Sequence, residues 1–440
     1  MDEREVRGEG VPQPGVVGQA TQDHTRGRRH HCLQHHVDEL FAVLLEPVEE
    51  RLHGDRIVAV VVLHDVRLAP RAATEVAPED TVKCVHGPLC ASQHLAESGD
   101  CHHHVVRNPM QNISPNGPIK LAVTVDDPFM WKGADFPPDY SPAGVATSMA
   151  DAFAEHGVPG VYSFASTLPT DDHPEWLEAL DSWVERGHHV GAHTHSHSSL
   201  NWGPADPYID DIDRNMGILE PWIAQAPTRY FRYAFDMWGD EQAKTDAVQL
   251  HLARRGYVPA PITTWFYDVQ FLVSYIRTLV AGDEEGRAWI RKTFASTAVE
   301  SLRSQAAAAR AVFGRDPVHI ALIHGTPVAG DCYGDVLAAY AEHGVEFVTL
   351  EEAMADPANQ IVAPTVTRFF RNSTQKWAEY AGIDVENTPP QVLHQVREIC
   401  LIEGMDENAV LGPALVAAAE SVGATFVPTD LDWSPEVLQQ

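Results

Sequence analysis

Two kinds of hydrophobic pattern alternate along the middle of the chain, beginning at about Ile119. Short apolar runs of strand length predict β-strands. The predicted strands cover residues 120–125, 161–165, 190–192, 230–233, 257–262, 319–324 and 346–350. Between these runs, apolar residues recur every three or four positions, which predicts helices. The predicted helices cover residues 142–156, 174–186, 206–224, 242–255, 269–313 with a break near Gly282, 336–343 and 351–355.

This alternation of strands and helices predicts the fold class. Repeated β-α units imply parallel strands with covering helices, so we expect an α/β protein. In such proteins the catalytic groups lie at the carboxyl ends of the strands. Five residues with suitable side chains lie at or just after predicted strand ends: Asp126, Asp127, His193, Arg232 and His324. We therefore expect a functional site at that edge of the sheet.

The segments on either side of this pattern differ from it. Residues 1–112 contain half of the 24 histidines and, apart from a helical pattern at 37–52 and a strand pattern at 57–63, no sustained periodicity. Their cysteine and histidine spacings fit no compact zinc module. We interpret 1–112 as a disordered extension or a mis-called start, with Met110 as the initiator. The α/β domain is expected over 113–360.

After residue 360 the pattern changes again. Three stretches resemble amphipathic helices, with a break at Pro389 and Pro390. They cover residues 365–381, 390–401 and 412–422. We expect residues 361–440 to form a helical appendage that packs on the α/β domain or on another subunit. The sequence leaves the oligomeric state open, including a homo-oligomer.

Composition excludes several classes of partner. The net charge of −31 argues against binding to nucleic acid and to anionic membrane surfaces. No apolar run approaches the ~20 residues that a spanning helix needs. The charged start at residues 1–5 lacks the apolar stretch of a secretory signal, so we expect a cytoplasmic protein. Six scattered cysteines do not make a disulfide framework.

Candidate metal chemistry lies at the strand ends. His193 and His197 are four residues apart, the spacing of one helical turn, and both can bind one divalent ion. Asp127, at the end of an upstream strand, can supply a third ligand. Such a site keeps a position for water or substrate, and the ion lowers the pKa of bound water. The ligand types suit Zn first, with Co, Ni, Mn or Fe also compatible.

Three further residues can move or hold protons beside such an ion. Asp126 can act as the general base that takes a proton from water. Arg232 can pair with Asp126 and keep it ionised. His324 can protonate a departing amine. Each alone has a commoner structural role, such as a strand-end turn or a surface ion pair, and it is their shared position at strand ends that favours chemistry.

Four short motifs together resemble the polysaccharide deacetylase (NodB-homology) family of metal-dependent carbohydrate esterases, over residues 117–356. They are Thr-Val-Asp-Asp at 124–127, His-Thr-His-Ser-His at 193–197, Arg-Tyr-Ala-Phe at 232–235 and Leu-Ile-His at 322–324. The resemblance implies a distorted (β/α) barrel that removes N-acetyl groups from a saccharide and releases acetate. Its implied metal ligands are Asp127, His193 and His197.

The resemblance also implies roles for the remaining site residues. Asp126 is the implied base, His324 the implied acid, and Arg232 the group that orients the base. Tyr233 and Phe235 are implied substrate-binding residues in the wall of the acetyl pocket. The chain departs from the family at Ala234, where a proline is usual. It departs again in the family's own fourth motif, D-x-x-D-W, which lies between the third and the last of the segments named above and corresponds to residues 265–269. Only Asp268 remains there, in a position to orient His324, and Trp265 and Val269 replace the other family residues.

Three functions remain open from the sequence. The first is a zinc-type deacetylase of an N-acetylated saccharide, with Trp131, Trp202 and Trp265 available to stack on a sugar ring. The second is an amidohydrolase of a small cytosolic amide or ring, which the altered fourth motif favours. The third is a non-catalytic saccharide-binding protein of the same fold, which the complete set of ligands, base and acid disfavours.

Overall fold

The computed structural model describes residues 117–361, 371–385 and 388–426. The extension predicted for 1–112, with its helix at 37–52 and strand at 57–63, lies outside these ranges. Within them, no helix is long and apolar enough to cross a membrane.

All strand pairs of the described sheet are parallel, and each strand lies within three residues of its predicted bounds. The strands are β1 (Lys120–Asp126), β2 (Tyr162–Ala165), β3 (His189–Ala192), β4 (Tyr230–Phe231), β5 (Val258–Pro259), β6 (His319–His324) and β7 (Glu346–Val348). Their order is β5-β4-β3-β2-β1-β6, and β7 pairs with the beginning of β1. The end of β1 pairs with β2. Sequence periodicity therefore identified the strands correctly.

The segment after β5 closes this sheet into a barrel. On one side, the amide of Ala260 donates to the carbonyl of Phe231 in β4 (2.8 Å). On the other, Thr264 forms a parallel bridge with Ala321 in β6. The irregular segment that follows β5 thus joins the two edges of the sheet, at β4–β5 on one side and at β6 on the other. The predicted α/β fold with a distorted barrel is confirmed.

Helices cover the strands, as the sequence predicts. They are α1 (Pro142–Glu155), α2 (Glu178–Glu185), α3 (Ala205–Ile223), α4 (Gln242–Arg254), α5 (Leu272–Ala281), α6 (Glu284–Phe313), α7 (Pro327–Glu342) and α8 (Leu350–Met354). Local caps set several ends: the Asp283 side chain accepts from the amide of Gly286 at the start of α6, and Gly314 ends that helix with φ 68°. These signals are short-range, so they are visible in the sequence.

The start of α7 was predicted wrongly. The pattern predicts a helix from 336, but α7 begins at Pro327, which Thr326 precedes as the N-cap. Gly330 and Gly334 interrupt the apolar pattern of its first turns. A Cβ added at Gly330 would lie 3.4 Å from Val145 of α1, in van der Waals contact, so this turn of α7 faces α1.

Alternation along the strands separates two buried layers. Ala122 of β1 and Ile320 of β6 belong to one small cluster, with Phe164 of β2. Leu121 and Ile323 belong to the larger cluster that the helices cover. Successive side chains of a strand point to opposite faces. Asp126 and His324 therefore fall on the same face as the small cluster, at the carboxyl ends of their strands.

The C-terminal helices pack on the barrel. They are α9 (Ser373–Ala381), α10 (Pro390–Arg397), α11 (Glu407–Val410) and α12 (Gly412–Ser421). The amide of Ser373 donates to the carbonyl of Ile262 (2.7 Å), and the Thr374 hydroxyl donates to the carbonyl of Thr263 (2.7 Å). The helix predicted for 365–381 begins at Ser373, and residues 365–370 of that prediction lie outside the described ranges.

Candidate active site

Parallel pairing brings the base and acid candidates to the same edge of the sheet. Asp126 at the end of β1 is in register with His324 at the end of β6. Arg232 follows β4, and its guanidinium Nη1 donates to Asp126 Oδ1 at 3.0 Å. All three side chains are buried. The strand ends therefore assemble groups that are far apart in the sequence.

Asp127, His193 and His197 converge on one point. Their candidate ligand atoms all lie within 4.8 Å of one another. Asp127 Oδ1 is 4.0 Å from His193 Nε2, and Asp127 Oδ2 is 3.0 Å from His197 Nε2. A carboxylate with two imidazoles is a donor set that suits zinc and other divalent transition metals.

The contacts around these three residues fit a metal site. His193 Nδ1 donates to the carbonyl of Arg232 (2.6 Å), which fixes the ring and turns Nε2 toward Asp127. Among the described residues, that buried Nε2 has no hydrogen-bond partner. An imidazole held at one nitrogen by a carbonyl, with its other nitrogen unsatisfied, is the arrangement of a histidine ligand. The residues therefore fit a divalent cation.

Ser166 and Trp131 orient Asp127, a role that the sequence did not predict for either residue. The Ser166 hydroxyl donates to Oδ1 at 2.5 Å, and Trp131 Nε1 donates to Oδ2 at 2.8 Å. Burial raises the pKa of Asp127, but His197 and His193 outweigh it and hold that pKa well below its usual range. Burial lowers the pKa of His193 to about 3, so its neutral form, which binds metals, prevails.

The histidine motif lies in a loop, although its spacing equals one helical turn. Residues 193–197 follow β3 directly, and His197 has φ 58°. The middle residue, His195, does not face Asp127; its Nδ1 lies 2.9 Å from the Thr167 hydroxyl. Asp211 of α3 holds the next residue, accepting from the amide of Ser196 (3.1 Å). Tertiary contacts, and not helix geometry, bring the outer histidines together.

Arg232 is fixed from several directions. Its Nη1 also donates to the Thr124 hydroxyl at 2.6 Å, and its guanidinium lies 4.3 Å from the centre of the Phe164 ring. A Cβ at Gly191 would approach Phe164 to 2.4 Å, so only glycine leaves room for that ring. Burial raises the pKa of Asp126 to about 6 against the opposing charge of Arg232.

His324 is paired with the one acidic residue left in the altered fourth motif. Its Nδ1 lies 3.0 Å from Asp268 Oδ1, and its amide donates to Asp268 Oδ2 (3.0 Å). Trp265 Nε1 donates to Asp268 Oδ1 (2.5 Å). Burial by itself lowers the pKa of His324, but Asp268, with smaller contributions from Asp127 and Asp126, raises it to about 9.

A pocket opens onto these groups. Most of its wall is apolar or aromatic. The lining residues are Asp126, Trp131, His197, Phe235, Asp236, Ile262, Trp265, Val269, Leu322, His324, Arg371, Asn372, Leu411, Ala414 and Leu415.

The residues expected to bind substrate divide into two groups. Phe235 and Trp265 line the pocket, and the Phe235 ring lies 4.5 Å from that of His197. Tyr233 does not line it, which corrects the expectation for this residue. It is buried against Tyr208 and Trp238, because it directly follows Arg232 and points to the other side of the chain.

The three tryptophans proposed for sugar stacking also differ in position. Trp131 and Trp265 line the pocket, with ring centres 5.5 Å and 5.9 Å from His324. Trp202 is not a lining residue; it packs on Phe235 at 5.2 Å. Only the first two are in position to contact a bound molecule.

The C-terminal contribution to the pocket was not expected. Leu411, Ala414 and Leu415 line it from the segment interpreted as an appendage. In addition, Lys376 of α9 forms a buried ion pair with Asp236 (3.1 Å) next to Phe235. No local sequence pattern identifies these residues as pocket residues. The pattern of an amphipathic helix shows which face is buried but does not show which surface that face contacts.

Backbone strain is concentrated at the site. Asp127, His197, Phe235 and Asp236 all have φ between 49° and 58°, a region that residues other than glycine seldom adopt. Such strain persists only where surrounding contacts hold it. Here the polar contacts of Asp127 and the Lys376 pair of Asp236 do so.

Comparison with known proteins agrees with this geometry. Residues 120–252 match the model of the family described as polysaccharide deacetylase. This segment is similar to that family. The resemblance drawn from the motifs is therefore confirmed. The match includes the segments that carry Asp127, His193 and Arg232 and ends before His324. No curated protein matches the chain.

Solved structures of similar proteins cover about half of the chain. A mutant of BA3943, a CE4 family pseudoenzyme with restored enzymatic activity, is 14% identical, with a TM-score of 0.37 over 55% of this chain and 69% of that one. The wild-type BA3943 of Bacillus anthracis is 13% identical (TM-score 0.36; 55% and 66%). Peptidoglycan deacetylase PdaC of Bacillus subtilis is 18% identical (TM-score 0.35; 55% and 94%). Likeness at this level carries no functional argument.

Proposed function

We propose that this protein is a metal-dependent hydrolase that removes the acetyl group from an N-acetylated substrate. The observation that carries the proposal is the convergence of Asp127, His193 and His197 beside two proton-transfer pairs. Those pairs are Asp126 with Arg232 and His324 with Asp268. An N-acetylated saccharide, the class that the family implies, and a small amide share the bond to be cleaved.

Asp127, His193 and His197 are the proposed ligands of one divalent cation, zinc first. Such an ion, when bound, polarises the acetyl carbonyl and lowers the pKa of water. The buried, unpaired His193 Nε2 supports the assignment. Ser166 and Trp131 keep Asp127 oriented for it through their 2.5 Å and 2.8 Å hydrogen bonds.

The remaining groups move protons. Asp126 takes a proton from the attacking water as its oxygen bonds to the carbonyl carbon. Arg232, fully buried at 3.0 Å from Asp126, orients this carboxylate and favours its charged form. His324 then donates a proton to the amide nitrogen as the carbon–nitrogen bond breaks. Acetate and a free amine are the products.

The test is acetate release by the full-length chain, with and without added Zn²⁺. The substrates are N-acetylglucosamine, its pentamer and 4-nitroacetanilide. We expect Asp126→Asn to keep its bound metal and to lose at least about a hundredfold in turnover, the usual contribution of a general base. We expect Asp127→Ala and His193→Ala to lose the metal itself, measured by elemental analysis of the purified protein.

Each alternative has its own result. Metal bound with no acetate from any substrate would contradict the deacetylase proposal. Ligand binding by a protein that holds no metal would favour a non-catalytic saccharide-binding role. Full turnover of Asp126→Asn would exclude Asp126 as the base.

A further inference from the structure

The wall of the pocket is completed by the C-terminal helices. Leu411, Ala414 and Leu415 line the same cavity as Asp126 and His324. All three of these apolar side chains are buried, with 5%, 8% and 7% of their surface exposed. The C-terminal segment is therefore part of the pocket that holds the reacting groups.

Several contacts hold this segment in place. The Ser421 hydroxyl at the end of α12 donates to Ser196 Oγ in the histidine loop, at 2.5 Å. At the start of α12, Pro413 lies so near Gly133 that a Cβ there would be only 3.0 Å away. The Arg277 side chain of α5 donates to the carbonyl of Ile399 at 2.9 Å, between α10 and α11.

Two of the polar groups in this wall are already committed to the protein. Asn372 caps α9: its Oδ1 accepts from the amide of Gln375 (3.0 Å), and its Nδ2 donates to Gln305 (3.0 Å). Asp236 is paired with Lys376 and also accepts from Trp238 Nε1 (2.6 Å). These contacts leave Asn372 and Asp236 with fewer hydrogen-bonding sites for a hydroxyl-rich ring, which loses water when it binds, at a cost in free energy.

From these contacts we infer that the C-terminal segment is the specificity determinant of the site. It restricts the substrate to a compact N-acetylated molecule with an apolar, ring-shaped body, and excludes internal units of a polysaccharide. The inference rests on the proposed function and adds the substrate class to it. Trp131 and Trp265 offer faces for such a ring, and Leu411 and Leu415 offer apolar contact.

The test compares kcat/KM of the zinc-loaded full chain for 4-nitroacetanilide, N-acetylglucosamine and the N-acetylglucosamine pentamer. We expect 4-nitroacetanilide to be preferred over the monomer by at least tenfold, and the pentamer to release no acetate from its internal units. A pentamer cleaved as well as 4-nitroacetanilide would overturn this inference and leave the proposed function standing. No acetate from any of the three would overturn both.

Two variants test whether the C-terminal segment sets this preference. Ala414→Trp fills the pocket, and we expect KM for 4-nitroacetanilide to rise at least tenfold with bound zinc unchanged. Ala417→Trp is the matched control: it lies half-buried on the same helix outside the lining, and should leave KM unchanged. Equal effects of the two would overturn the inference.

Leu415→Ala is a second test of the same contact, for the case in which Ala414→Trp does not fold. It removes apolar contact without adding bulk. We expect kcat/KM for 4-nitroacetanilide to fall about tenfold, the order of magnitude for losing most of a buried leucine side chain. Its kcat/KM for N-acetylglucosamine should change less. An equal fall for both substrates would contradict a role in selecting an apolar body.

Discussion

At the scale of single residues, the site depends on which atom of each side chain is already bonded. His193 and His324 illustrate this difference. The Nδ1–H of His193 donates a hydrogen bond to a backbone carbonyl, which leaves Nε2 available to bind a metal. His324 directs Nδ1 to a carboxylate, which favours its protonated form. The same side chain is thus prepared as a ligand at one strand end and as an acid at another.

The pairing of His324 with Asp268 predicts a pH effect. Asp268 raises the pKa of His324 to about 9, so the acid is protonated below that pH and lost above it. Asp268→Asn removes the charge, and the alkaline limb of kcat/KM should move down by about one to two pH units. Asp246→Asn, exposed on α4, is the control and should leave the limb in place. An unmoved limb in Asp268→Asn would exclude Asp268 as the residue that tunes the acid.

At the scale of elements, α9 is attached to the barrel by a buried charge. Lys376 donates to both the carbonyl and the carboxylate of Asp236, and each side chain is 3% exposed. Asp236 follows Phe235 in a turn with positive φ at both residues. The helix therefore supports the turn that presents Phe235 to the pocket.

Replacing only one residue of the Lys376–Asp236 pair should lower stability more than replacing both. Lys376→Met leaves the Asp236 carboxylate buried without its partner, and we expect the free energy of unfolding to fall by about 3–5 kcal/mol. Lys376→Met with Asp236→Asn should lose clearly less. Lys244→Met, from a partly exposed pair with Asp240, should lose at most about 1 kcal/mol. Urea denaturation measures all three; a double variant as unstable as the single one would contradict the explanation.

At the scale of the whole molecule, removing the N-terminal segment and removing the C-terminal segment should have different effects on activity and stability. The described barrel begins with β1 at Lys120, whereas the C-terminal segment is bonded to Ile262 through Ser373 of α9 and lines the pocket with Leu411, Ala414 and Leu415. A chain starting at Met110 should keep zinc binding and acetate release. A chain ending at Ile361 should lose acetate release and a large part of its thermal stability, because apolar barrel surface becomes exposed. Full activity of the second chain, or an unfolded first chain, would contradict this assignment.

Much of the fold could be predicted because its signals are local. The strands carry apolar runs, and helix α6 ends at a glycine, so short windows of sequence suffice. Helix α7 shows the limit: Gly330 weakens the helical pattern of a turn that faces Val145 of α1. The bounds of α7 depended on a neighbour that the sequence does not identify.

The sequence by itself determined the residue types of the site and their order at strand ends, because parallel strands place those ends at one edge. Only the tertiary structure decided which atoms meet. The bond from His193 to the Arg232 carbonyl, the buried packing of Tyr233 and the pocket contacts of Leu411 and Leu415 join segments with no local relation. The hydrophobic pattern determines which face of an element is buried. Packing in three dimensions determines which surface that face contacts, and therefore the shape of the pocket.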